Sequence, residues 1–91
     1  MLSIVGGSIV GTTIILKNMD IKEKFGLKVK ALREEKGYSI EHLANISNVD
    51  RNYISDIEKG KRNVSIKIIE KIIINLDIDF PTFFNDKIFK R

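Results

Sequence analysis

Cysteine is absent from the 91 residues, so disulfides and thiolate metal sites are ruled out, and a cytoplasmic location fits. Histidine occurs once, as His42, which removes multi-histidine metal sites as well, and no metal or cofactor is expected. The longest apolar stretch, Leu2 to Leu16, is shorter than the roughly 20 residues needed to cross a bilayer. It also lacks the preceding positive charge of a secretory signal, because its only lysine, Lys17, follows it. No nucleophile–base constellation, metal-ligand spacing or phosphate-binding glycine loop is present, and Glu34 and Glu35 read as helix-surface charges beside Lys36. An enzyme is therefore not expected, nor a membrane partner.

What is present fits one small domain. A chain of this length has room for a single core, and a small core gains from the extra burial of a subunit interface. Sixteen Lys/Arg against twelve Asp/Glu leave a net charge of +4, too mild to assign a partner by itself. Placement says more. Lys59, Lys61 and Arg62 crowd around Gly60, with Lys67 and Lys71 shortly after, although a solvated turn and helix face would look the same.

The chain divides at Met19. Upstream, Gly6, Gly7 and Gly11 among many β-branched residues disfavour a helix, and extended or irregular structure is expected. Residues 1–19 thus read as a leader. It is either an over-extended or vector-derived start, the favoured explanation, or a short strand used in pairing. From residue 20 to 91 the pattern is helical. Asp20 and Glu23 make a capping-box pair, and Ile21, Phe25, Val29 and Leu32 form the apolar stripe of a first helix stopped by Gly37. Ser39 caps a second helix with Leu43 and Ala44 turned inward, Asn48 suits a left-handed turn, and Asp50 caps a third helix ending at Gly60. Ser65 opens a fourth, with Ile66, Ile69, Ile72, Ile73 and Leu76 expected on its core face and Ile68 and Ile74 off that stripe. Pro81 marks the start of a fifth, where no backbone donor is needed.

Ile40 to Lys59 has the length and spacing of a helix-turn-helix. Ala44 allows close approach of the second helix to the third, and the exposed side of the third carries Arg51, Asn52, Ser55, Asp56 and Lys59. Those residue types can meet base edges and phosphates in a major groove. Leu32-Arg33 followed by Gly37, Leu43-Ala44, and Ile54-Ser55-Asp56-Ile57-Glu58-Lys59-Gly60 hold their spacing together. On these anchors Phe25 to Phe84 resembles the phage repressor/Cro family. The implied fold is all-α, a compact five-helix lambda-repressor-like helix-turn-helix domain. Asp50-Arg51-Asn52-Tyr53-Ile54-Ser55, then Glu58, Arg62-Asn63 and Ser65-Ile66, looks more narrowly like the controller proteins of restriction–modification systems. Ile40 stands where the family often has glutamine, so that phosphate contact is missing or supplied by Ser39 or Glu41, and Asn48 replaces the turn glycine.

The resemblance implies a sequence-specific transcriptional regulator that binds a palindromic operator in double-stranded DNA as a homodimer, with RNA polymerase as a further partner. Phage or plasmid repressors, antitoxins and protein-interaction modules share much of the pattern. The expected DNA contacts are Ser39, Arg51, Asn52, Tyr53, Ser55, Asp56, Lys59, Lys61, Arg62 and Asn63. For Tyr53, packing in the core is an equal alternative. Arg33 and Glu58 are the family-type ion pair. The apolar surface of Phe83, Phe84, Ile88 and Phe89 is more than one small core is expected to absorb, so it is assigned to the dimer interface, with Ile68 or Ile74 of the fourth helix as a further contributor.

Overall fold

In the computed structural model, which describes residues 19–90, Asp20 and Glu23 close a reciprocal capping box that starts α1 (Ile21–Glu35). The expectations for residues 1–18 lie outside the described residues. Ser39, Asp50, Ser65 and Asp79 then cap α2 (Ile40–Ser47), α3 (Arg51–Glu58), α4 (Ile66–Asn75) and α5 (Phe80–Phe84), each side chain accepting from an amide of its own first turn. A 3-10 turn, Lys87–Phe89, follows. Among the described residues there are five α-helices and no strand, the all-α architecture expected from the periodicity.

The core draws on every helix: Phe25 and Val29 from α1, Leu43 and Ala44 from α2, Ile54 and Ile57 from α3, Ile72 and Ile73 from α4, Leu76 just beyond it, and Phe83 from α5. Helix α1 lies against α3, and α2 bridges α3 and α4. Two residues expected in the apolar stripes are instead in water: Ile21 and Ile66, the latter 76% exposed. Both are the first residue of their helix. A side chain there leans back past the helix end, beyond the neighbours that cover later turns.

The C-terminal segment also differs from expectation. It is not one helix presenting four apolar residues. Asn85 leaves helical geometry after only five residues, and Phe84 closes α5 while Ile88 and Phe89 fall in the separate 3-10 turn. Phe83 is 0% exposed within the single chain, so it is a core residue and is removed from the expected dimer interface. Its ring lies 5.3 Å from that of Phe25, 4.8 Å from Phe84 and 5.9 Å from Phe89. This four-ring cluster takes up part of the surface that the sequence left over, with Phe84 and Phe89 half-buried. A 2.7 Å ion pair from Lys28 to Asp86 fastens the segment to α1, and the Ile88 amide and then Lys28 hold the Asp86 carboxyl below the usual carboxylate range.

The α1–α3 contact depends on Gly26, which the sequence does not single out. A Cβ there would overlap the carbonyl oxygen of Ile57 and crowd that of Glu58, both backbone atoms of α3. Gly26→Ala must therefore push two helices apart rather than move a flexible side chain. A loss toward the upper end of the roughly 1–3 kcal/mol range of core overpacking is expected, read as a lowered midpoint in urea. An unchanged midpoint would show that the helices separate at no cost.

Candidate nucleic-acid interface

The turn between α2 and α3 is set by local bonding. Asn48 takes a left-handed conformation (φ 55°), and the Val49 amide donates to the Ala44 carbonyl at 3.0 Å. Asp50 then accepts from the amides of Asn52 and Tyr53, which fixes the start of α3. Ile54 and Ile57 are buried, so residues 51, 52, 55, 56 and 59 are left on the other side of the helix. Arg51, Asn52 and Lys59 are exposed there, and Ser55 and Asp56 are half-buried.

Arg33 anchors this helix from beneath. Its Nε donates to Glu58 Oε2 at 2.7 Å and its Nη2 to Glu58 Oε1 at 3.0 Å, a bidentate pair with side chains only 10% and 5% exposed. Its Nη1 donates to the Tyr38 carbonyl at 2.8 Å, so one guanidinium ties α1, the α1–α2 loop and the end of α3 together. The hydrogen bond to Glu58, over the opposing effect of burial, holds Arg33 above its ordinary range, so the cation is never lost.

On the outer face the structure groups side chains in ways the chain order does not announce. Arg51 Nε donates to Glu41 Oε2 at 2.6 Å, joining the first turns of α2 and α3, while Nη1 lies 3.5 Å from Asn52 Oδ1. Arg62, in the loop after α3, donates to Asp56 Oδ2 at 3.3 Å, and its guanidinium lies 5.0 Å from the centre of the Tyr53 ring. Tyr53 is half-buried, packed against the core with Arg62 over its face. Asp56, expected to meet DNA directly, accepts from Arg62 of this same surface. Ser39 is occupied as the α2 cap, its Oγ accepting from the His42 amide at 3.0 Å. Lys59, Lys61 and Asn63 are exposed around the turn at Gly60, which has a φ of 74° and where an added Cβ would crowd Glu23 of α1. Glu41, offered by the sequence as a substitute phosphate contact, pairs instead with Arg51, a partner ten positions away on another helix.

A protruding helix with arginine at its exposed start and a basic loop at its end is suited to a groove and its phosphate walls. Residues 29–83 match the helix-turn-helix family model. The control protein C.MunI of a Mycoplasma species is 48% identical over 68 residues, which are 74% of this chain and 92% of that protein. The chain belongs to the helix-turn-helix controller family. Control protein C.BamHI of Bacillus amyloliquefaciens is 44% identical over 73 residues, covering 72% of this chain and 90% of its own. Among solved structures, the controller C.Esp1396I, a tetramer in complex with its natural 35 base-pair operator, is 38% identical with a TM-score of 0.73 over 80% of this chain and 100% of its own. Family members are transcription regulators. Among the described residues no helix is long and apolar enough to cross a membrane, and no cluster of His, Asp or Glu could hold a metal ion.

Proposed function

We propose that this protein is a restriction–modification controller: a cytoplasmic transcriptional regulator that binds a palindromic operator as a homodimer and sets promoter use by RNA polymerase. The observation that carries the reading is the outward presentation of Arg51 and Asn52 at the capped start of α3, with Lys59, Lys61, Arg62 and Asn63 grouped past its end. Residues at the start of a recognition helix reach base edges, and those flanking its end meet the backbone. Two such helices related by a dyad lie about 34 Å apart, one duplex turn, so half-sites repeat about every 10 bp.

The second subunit is assigned to the outer face of α4. Ile66, Glu70 and Ile74 are spaced four apart, and both isoleucines stand in water, Ile74 at 60% exposure. Phe84, Ile88 and Phe89, half-buried beside the core, extend the apolar area, and Phe83 does not take part.

Arg51→Ala and Lys61→Ala separate the two kinds of contact. With an operator selected from a random duplex library, loss of the Arg51 base contact is expected to cost about 1–3 kcal/mol per half-site and relax preference at one position. Loss of Lys61 is expected to weaken cognate and scrambled DNA alike and flatten the salt dependence by about one unit per contact. Titration of both variants at several salt concentrations reads this directly. Arg51→Ala with an intact cognate preference would remove Arg51 from recognition.

A further inference from the structure

The Arg51–Glu41 pair is too exposed to stabilise the fold appreciably. Its side chains are 53% and 58% accessible, and exposed ion pairs of this kind contribute little. Its placement is nonetheless specific. The carboxylate sits in the first turn of α2 and engages only Nε of the guanidinium, while Nη1 reaches toward Asn52. Nη2 has no hydrogen-bond partner among the described residues, and neither terminal nitrogen is spent on the carboxylate. These are the donors that a bidentate contact to the O6 and N7 of a guanine would use. The Arg51 hydrogen bond also keeps the Glu41 carboxyl below the usual carboxylate range, which favours its charged form.

We propose that Glu41 is a specificity-determining residue of the DNA-binding surface: it holds Arg51 in the base-reading direction and keeps its charge from phosphate. The inference rests on the reading of Arg51 as a base contact. A free arginine at a helix start swings readily onto a phosphate, where it binds any sequence. Tied through Nε to an anion on the neighbouring helix, it instead offers a fixed fork. The same anion, close to where the duplex backbone passes, disfavours sites where the fork finds no guanine. Binding to wrong sequences then leaves a carboxylate facing phosphates, uncompensated by a base contact. At a cognate site the gain from the fixed fork offsets the repulsion between Glu41 and the backbone. Glu41 makes other sequences bind less well.

The test is Glu41→Gln in the full chain, titrated against the selected operator and a scrambled duplex over a range of salt. Glutamine keeps the length and the acceptor oxygen but removes the charge. The expected result is tighter binding to scrambled DNA, a salt slope steeper by about one unit per subunit, and a cognate-to-scrambled ratio reduced about tenfold. In an Arg51→Ala background the same substitution is expected to shift the ratio far less, since the arginine it acts through is gone. A ratio unchanged by Glu41→Gln, a loss of affinity for both DNAs, or an equal effect with and without Arg51 would each overturn the assignment. If Arg51→Ala alone keeps the cognate preference, the base-contact reading fails first and takes the role of Glu41 with it. Circular dichroism melting of Glu41→Gln is expected to coincide with that of the parent chain, which separates the effect from folding.

Discussion

Glu58→Ala is expected to destabilise the fold by about 3–5 kcal/mol, because it strands the Arg33 guanidinium in an almost dry position. For a domain of this size each kcal/mol lowers the melting temperature by roughly 4–8 °C, so the midpoint should fall by more than 10 °C at fixed protein concentration. The cost comes from the unpaired charge, not from the worth of the pair. Replacing both partners together by apolar residues of similar volume is therefore expected to recover most of the loss. The pair also holds the end of the recognition helix, and the Tyr38 carbonyl shares the same guanidinium. Arg33→Ala should thus loosen the α1–α2 loop as well and expose its amides to hydrogen exchange. Melting of Glu58→Ala within a degree or two of the parent would mean that water reaches Arg33 freely.

Phe83→Ala is expected to cost a similar 3–5 kcal/mol, as truncation of a fully buried aromatic leaves a cavity that its neighbours only partly fill. The rings of Phe25, Phe84 and Phe89 all face it, so several contacts are lost at once. The loss should be independent of protein concentration, because it lies within one chain. Ile74→Asp is the contrasting variant. With its side chain mostly in water, it should leave the folding of the chain nearly intact and weaken self-association in sedimentation experiments. The reverse pattern, a dissociated Phe83→Ala chain with normal melting and an unaltered Ile74→Asp dimer, would return the interface to Phe83.

Much of the recognition unit can be read along the chain because its signals are short-range. Asp20, Ser39, Asp50 and Ser65 cap helices through amides two or three residues away. Asn48 and Gly60 adopt the positive φ that ends one helix and frees the chain for the next segment. The inward placement of Leu43, Ala44, Ile54 and Ile57 follows from helical periodicity. Periodicity misleads at helix ends, as at Ile21 and Ile66, and at Ile68, expected off the core stripe but packed against the core, since it records which side a residue faces and not what covers that side.

The sequence by itself therefore determined the helix starts, the stops of the first three helices, the turn between α2 and α3, and the residue types offered on the outer face of α3. Each of these depends on interactions spanning about one helical turn. Only the tertiary structure decided that Gly26 must be bare where α1 meets the backbone of α3, and that Phe83 is core. It alone paired Arg51 with Glu41, and set Arg62 between Asp56 and Tyr53. These outcomes depend on where separate elements come to rest against one another. A side chain's partners are then chosen by the packing of the whole core, which no local window of the chain contains.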